Sequence, residues 1–177
     1  MLRYLCNYLS SSKSGWKWTK VLELQKTGAN SPPRGFYTAR VDEKGRLKLP
    51  TLFQEFLGGE KLFVTSLDTR IARIYPISLW QQNESLLFDQ SDEPEMAEDI
   101  AFIANHFGAD SEIDGQGRVL LPTELRRALN LENQTVWLDC YQGGVNVYGK
   151  EVYEERQRRA TDNLGPKLNA LKKKGLK

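Results

Sequence analysis

The sequence has few of the residues from which reactive or metal-binding sites are built. Its 177 residues include two cysteines and one histidine. Cys6 and Cys140 lie far apart and outside any CxxC spacing, so we expect both to be free thiols. His106 is accompanied by neither a GxSxG nor an HExxH motif, which argues against a hydrolase triad or a zinc protease. We therefore expect no catalytic residue, no bound metal, no cofactor and no small-molecule substrate.

Long apolar runs are also missing. No run of about 18 uncharged apolar residues occurs, and the N-terminal residues are too polar for a good signal peptide. We expect a cytoplasmic protein with no membrane partner. With 40% apolar and 27% charged residues, the chain can bury a core of about one domain or two small ones.

The net charge is only +2, but the charge is unevenly distributed. Residues 1–40 carry seven bases and one acid, and residues 150–177 carry nine bases and four acids. Between them, residues 84–99 carry seven acids and no base. The small sum does not itself imply a polyanionic partner, whereas the two basic ends and the acidic middle distinguish regions with different partners or exposures.

One segment occurs twice. VDEKGRLKLP begins at Val41, and IDGQGRVLLP begins 72 residues later at Ile113. The following TLFQEFL and TELRRALNL both place apolar residues with the spacing of a short helix, which the threonine after each proline can cap. Each repeat then has two runs typical of strands. The pattern predicts strand, turn, strand, helix, strand, strand in both repeats, and two units this small should share one core.

The repeated turn has the pattern D-x-x-G-R. Its aspartate can accept hydrogen bonds from nearby backbone amides, and its glycine can adopt a positive φ. The turn-structuring residues are therefore Asp42, Gly45, Asp114 and Gly117. A structural hairpin does not require the arginine that follows. Arg46 and Arg118 can either pair with their own aspartates or point toward an anion such as DNA phosphate.

The two motifs, the YPISLW at Tyr75 and the YQGGVNVY at Tyr141 together resemble the MraZ family, the duplicated relatives of the AbrB and SpoVT regulators. The resemblance covers about residues 33–159. It implies an α+β, mainly β fold: a double swapped-hairpin β-barrel built from two repeats, which assembles into a ring of several subunits. It also implies a DNA-binding transcriptional regulator of the cytoplasm and nucleoid, most simply a repressor, on direct repeats upstream of division and cell-wall genes.

The resemblance and the charges together identify the residues expected to contact double-stranded DNA. The first turn supplies more positive charge for phosphates, and the second offers a polar side chain for base edges. The expected DNA-binding residues are Lys44, Arg46, Lys48, Gln116, Arg118 and Arg34.

The predicted organisation has five parts. Residues 1–32 form an N-terminal extension that the family pattern lacks, and three interpretations remain open: a DNA-contacting arm, an ordered interaction segment, or the product of an upstream start codon. Residues 33–88 form the first repeat, 89–109 a connecting helix, 110–160 the second repeat and 161–177 a basic C-terminal tail.

Two other functions are compatible with the sequence. An AbrB-like antitoxin or protein-interaction scaffold would share the fold and contact DNA only secondarily. A metal-dependent enzyme would use the alternating carboxylates Asp110, Glu112 and Asp114, although Asp114 is already required by its turn.

Overall fold

The computed structural model describes residues 31–88 and 93–177. The predicted N-terminal extension lies outside the described residues except for its last two, as do Cys6 and the hypotheses attached to that segment. The described chain from Pro32 to Lys177 is one compact unit.

The first repeat folds in the predicted order. An extended segment leads through the first DxxGR turn into a short second strand, and the rest follows as a helix and a hairpin. Its elements are β1 Tyr37–Arg40, β2 Arg46–Lys48, α1 Thr51–Leu57, β3 Leu62–Thr65 and β4 Ala72–Pro76. Gly58 ends α1 in the left-handed conformation that glycine adopts without strain.

The second repeat has the same order. Its elements are β5 Ala109–Ser111, β6 Arg118–Leu120, α4 Thr123–Ala128, β7 Thr135–Tyr141 and β8 Gly144–Tyr148. The prediction that the threonines cap α1 and α4 was wrong. Pro50 and Pro122 hold the capping positions with no side-chain cap, and each threonine is the first helical residue. The fixed φ of proline suits the extended residue before each helix.

Four helices belong to neither repeat's strand-helix core: α2 Ile77–Phe88, α3 Pro94–Phe107, α5 Lys150–Thr161 and α6 Leu164–Lys172. The helix α3 lies in the connection between the repeats, where the sequence predicts a helix. The buried residues of α3 are Ala97, Ala101 and Ala104, whereas Met96 is exposed. Small alanines allow the helix to approach the sheet closely, so they take the inner face.

The strands of the two repeats are interleaved. Six strands form one antiparallel sheet in the order β1-β7-β8-β4-β3-β5, and β2 pairs with β6 as a separate ribbon. The first strand of each repeat thus pairs with the third strand of the other, as β1 does with β7 and β5 with β3. Neither repeat has its complete set of strand partners without the other.

The two repeats also share one core. Fully buried side chains come from both, among them Leu47, Phe53, Leu57, Val119, Leu121, Leu125 and Leu138. This confirms the prediction that neither half folds around a core of its own, and the α+β class is confirmed as well. The outer face of the sheet is covered on β3 and β4 by Trp80 of α2, stacked on Phe63 with ring centroids 4.3 Å apart.

Two parts of the fold prediction need correction. Hydrogen bonding among the described strands closes no barrel, because β1 and β5 remain the edges of the sheet. The chain is also not mainly β, since more described residues lie in helices than in strands. The long helices α2, α3 and α5 follow the strands and account for the difference. No helix in the described ranges is long and apolar enough to cross a membrane.

Candidate nucleic-acid interface

The ribbon of β2 and β6 brings the two DxxGR motifs onto one surface. The strands pair antiparallel, with Arg46 opposite Leu120 and Lys48 opposite Arg118. Backbone bonds extend the ribbon at both ends, from Leu49 N–H to Gly117 O at 3.0 Å and from Leu121 N–H to Gly45 O at 2.9 Å. Each turn therefore lies at one end of a single two-stranded ribbon.

Strand alternation decides which side chains face outward. Leu47 and Val119, at the centre of the two strands, are fully buried in the core. Their neighbours Arg46, Lys48, Arg118 and Leu120 therefore share the opposite face of the ribbon. Three of these four outward side chains are basic, and the fourth is an exposed leucine.

The aspartate of each turn organises the backbone around it. Asp42 Oδ1 accepts hydrogen bonds from the N–H of Lys44 at 2.9 Å and of Arg46 at 2.8 Å. Asp114 Oδ1 accepts the equivalent bonds from Gln116 at 2.9 Å and Arg118 at 3.0 Å. In the first turn, the bond from the Arg46 N–H holds the pKa of Asp42 below its ordinary value.

The two arginines behave differently. Arg118 donates from Nε to Asp114 Oδ2 at 2.8 Å, and its Nη2 lies at the same distance from that oxygen. This hydrogen-bonded guanidinium lowers the pKa of Asp114 to about 2. Among the described residues, no ion pair or side-chain hydrogen bond involves the Arg46 guanidinium. Arg118 therefore pairs with the aspartate of its own turn, whereas Arg46 does not.

Lys48 lies at the end of the ribbon that carries the second turn, opposite Arg118. Its Nζ donates to the backbone carbonyl of Gln116 in the second turn. Its charge therefore lies against the second turn, although we had assigned it to the first. Lys44 and the Gln116 side chain are both exposed at the turns.

Each turn is supported by the helix of the other repeat. Arg126 of α4 donates to Glu132 Oε1 at 2.7 Å and to Leu121 O at 2.9 Å, and its side chain fills the space beside Gly45. Gln54 of α1 donates to Leu49 O at 2.7 Å and fills the space beside Gly117. Sequence reasoning missed these supporting residues. Extending the 72-residue offset past the prolines would have paired Gln54 with Arg126.

Arg34 lies outside the β2-β6 ribbon. Arg34 precedes β1, whereas the first turn follows the same strand. The neighbouring Phe36 packs against Tyr148 and Tyr153 with ring centroids 5.8 Å and 5.1 Å apart. Phe36 thus lies against α5, and the expected contact of Arg34 with DNA stays a prediction.

The acidic residues of the second repeat do not form a metal site. Within residues 31–88 and 93–177, no group of three or more His, Cys, Asp or Glu side chains is arranged to hold a metal ion. Asp114 is engaged by Arg118, and Asp110 lies on β5 opposite Phe63. The carboxylate hypothesis for a metal-dependent enzyme therefore lacks its site.

A cavity of about 640 Å³ lies between α5 and the outer face of the sheet. Asn146 occupies its floor and donates from Nδ2 to Asp139 Oδ1 at 2.9 Å and to the Tyr148 hydroxyl at 3.1 Å. Burial raises the pKa of Asp139. These three groups are bonded to one another, whereas Arg73, which also lines the cavity, has a buried Nε without a hydrogen-bond partner among the described residues.

A family model and individual relatives relate this chain to the same group of known proteins. Residues 108–168 match the family described as "MraZ protein, putative antitoxin-like". The chain is 36% identical over 141 residues to the transcriptional regulator MraZ of Acidobacterium capsulatum, covering 78% of this chain and 90% of that protein. It is 33% identical over 129 residues to the MraZ regulator of Legionella pneumophila, covering 70% and 84%. Both relatives are named as regulators rather than enzymes, in agreement with the prediction of no catalytic activity.

Proposed function

Because the chain belongs to the MraZ family, we propose that it is a sequence-specific DNA-binding transcriptional regulator whose reading surface is the β2-β6 ribbon. The observation that carries the proposal is the pairing of β2 with β6, which places both DxxGR turns and three outward bases on one surface. The names of the relatives support a role in transcription.

The shape of the ribbon supports this proposal. The major groove of B-DNA admits a two-stranded β-ribbon, and several regulators read bases with one. Buried Leu47 and Val119 fix the inner face of the ribbon to the core. The outward side chains are therefore presented by a rigid element, which favours defined contacts with base edges.

The outward residues divide into different roles. The Arg46 guanidinium has no ion pair within residues 31–88 and 93–177, and Lys44 is exposed in the first turn, so we assign both to phosphates or guanine edges. Arg118 is oriented by Asp114, and Gln116 is exposed beside it. Leu120 is 53% exposed on the same face, opposite Arg46 of β2. An exposed apolar side chain in this position suits the methyl group of thymine.

We propose that the protein acts as a homo-oligomer in the cytoplasm and nucleoid. Direct repeats upstream of division and cell-wall genes are the proposed operators, on the basis of the family resemblance. Several ribbons on one assembly gain effective concentration when the spacing of the repeats matches the spacing of the subunits. An assembly bound across a promoter would obstruct polymerase, so repression is the proposed outcome.

Binding of the purified protein to its own upstream DNA tests the proposal. Arg46→Ala should weaken binding and lower the slope of log affinity against log salt by about 0.9 for each phosphate that the variant no longer neutralises. Fluorescence anisotropy over a salt series measures both quantities, and circular dichroism verifies that the variant is folded. Arg159→Ala is the matched control, because it removes an exposed base from α5 rather than from the ribbon.

If Arg46→Ala and Arg118→Ala together leave affinity and salt slope unchanged, the ribbon is not the reading surface. If the Arg159→Ala control weakens binding as much as Arg46→Ala, the effect is general electrostatics. Either result contradicts the assignment.

An antitoxin is the second candidate, because the matching family is described as antitoxin-like. An antitoxin would bind a toxin encoded beside it, whereas the regulator proposed above would lie beside a methyltransferase and division genes. Co-expression with the product of the neighbouring gene, followed by purification of the complex, separates the two functions.

A further inference from the structure

The C-terminal helix α6 is folded, and none of its side chains is buried. Every residue from Thr161 to Lys177 is exposed. Three leucines, Leu164, Leu168 and Leu171, recur at the spacing of one helical face. An uncovered apolar stripe of this kind is uncommon on an isolated surface helix and is typical of a docking element.

The length of α6 leads to the same conclusion. It has nine residues, and isolated helices shorter than about 12–15 residues are marginally stable in water. Residues 164–177 contain five lysines and no acid, so repulsion among like charges adds to this instability. An acidic partner that covers the leucines would supply both the missing apolar contact and the missing counter-charge.

The chain contains a surface that matches this requirement. The inner face of α3 is its alanine face, and the opposite face carries Glu95, Glu98, Asp99 and Phe102 at helical spacing. Phe102 is 69% exposed, an unusual position for a phenylalanine. None of the three carboxylates forms an ion pair within the part of the chain that the structure describes.

We propose that α6 of one protomer docks on the outward face of α3 of a second copy, with the leucine stripe against Phe102 and the flanking lysines against the acids. The inference rests on the homo-oligomer of the proposed function and names one of its contacts. By helical periodicity, Lys167 and Lys172 flank the leucine stripe on its two sides. Glu98 and Asp99 flank Phe102 in the same way.

The contact is head-to-tail, because α6 and α3 are different surfaces of one chain. Such heterologous contacts produce closed rings when the rotation between subunits closes, and open chains when it does not. A basic amphipathic helix also suits DNA or an anionic membrane. The second copy is favoured because this same chain presents an acidic helical face with an exposed aromatic residue at its centre.

A charge exchange tests the contact in the full-length protein. The α6 variant Lys167→Glu with Lys172→Glu and the α3 variant Glu98→Lys with Asp99→Lys should each shift the assembly to smaller species. The variant that combines all four changes should recover the wild-type mass, because opposite charges again face each other. Mass photometry and light scattering after gel filtration measure the distribution, and circular dichroism verifies folding.

A matched control and a mixing experiment sharpen the result. Lys173→Glu with Lys177→Glu makes the same change in charge away from the flanks of the stripe and should leave the assembly unchanged. Leu168→Ser and Phe102→Ser each remove one side of the contact. Mixed in equal amounts, these two variants should form a complex of only two subunits, since one intact α6 can meet one intact α3.

Several outcomes would overturn the inference. They include wild-type assembly in the charge variants, failure of the four-change variant to recover, or wild-type protein that stays a monomer at all concentrations. Loss of affinity for DNA in the α6 variant without a change in mass would assign α6 to DNA. Binding of wild type to vesicles of phosphatidylserine and phosphatidylcholine, with assembly indifferent to the charge exchange, would assign α6 to membranes. DNA affinity measured on the same samples shows separately whether the proposed function stands.

Discussion

Gln54 and Arg126 hold equivalent positions in the two repeats, and each closes the space beside the turn glycine of the other repeat. Each also donates a hydrogen bond to a backbone carbonyl of its own repeat: Gln54 to Leu49, which follows β2, and Arg126 to Leu121, which follows β6. The two turns are therefore coupled through side chains that the turn motif itself does not contain.

This coupling predicts that Gly45→Ala is more damaging than a substitution at an open glycine. Gly45 has φ +77°, and an added Cβ would lie 2.6 Å from Arg126 Cδ. Left-handed backbone alone costs a residue with a Cβ roughly 1–2 kcal/mol, and displacement of Arg126 would also break its two hydrogen bonds. We expect a larger fall in the free energy of unfolding, measured in urea, than for Gly58→Ala.

Gly58 is the matched control because its φ is +64° and an added Cβ would meet nothing within 4 Å. Adding Arg126→Ala to Gly45→Ala should remove part of the extra cost, since the obstructing side chain is then absent. Equal destabilisation at the two glycines, or strict additivity in the double variant, would show that Arg126 does not restrict the first turn.

The lowered pKa of Asp114 predicts that the free energy of unfolding falls at acid pH. Arg118 holds the pKa of Asp114 at about 2 in the folded protein, against an ordinary value of 3.8. A lowered carboxyl pKa stabilises the fold fully above the unfolded value and loses this effect as the pH falls toward the folded value. Arg118→Gln should therefore flatten the fall in stability between about pH 5 and pH 2.

Titration of the side-chain carboxyl by NMR measures the same effect directly. The Asp114 signal should titrate near pH 2 in wild type and move upward in Arg118→Gln. A wild-type midpoint near the ordinary value would show that the ion pair does not persist in solution.

Leu120 predicts a specific dependence on thymine. If a thymine methyl packs on this side chain, replacing that thymine with deoxyuridine should cost about 0.8 kcal/mol, roughly fourfold in affinity. Leu120→Ala should weaken binding to the thymine operator and abolish this discrimination. Anisotropy on operators substituted one thymine at a time measures both, and undiminished discrimination in Leu120→Ala would assign the methyl contact elsewhere.

Cys140 predicts slow thiol chemistry. Burial raises the pKa of its thiol to about 12, so almost none is ionised at neutral pH. In a Cys6→Ser background, reaction with a disulfide reagent should be far slower in native protein than in urea. The Cys140→Ser variant, in which only the Cys6 thiol can react, gives the reaction rate of Cys6 for comparison. Equal native and denatured rates would place Cys140 at the surface.

The sequence was sufficient to predict the order of elements within each repeat because hydrophobic periodicity and turn residues are local signals. It also predicted the shared core, since a repeat of this size buries too little apolar surface alone. The pairing of β2 with β6 could not be read in this way, because strand exchange joins residues about 70 positions apart. The different fates of Arg46 and Arg118 likewise depend on side-chain geometry that two near-identical motifs cannot distinguish.

Within the ribbon, the pseudo-twofold relation between the repeats is broken where Lys48 in the first strand corresponds to Leu120 in the second. A protein that reads DNA with two identical halves would match a palindrome and bind it equally well in both orientations. On the proposed DNA surface, the unequal halves instead give the ribbon a polarity, so that a bound subunit has a defined direction along the duplex. Such a surface is suited to sites that all point the same way.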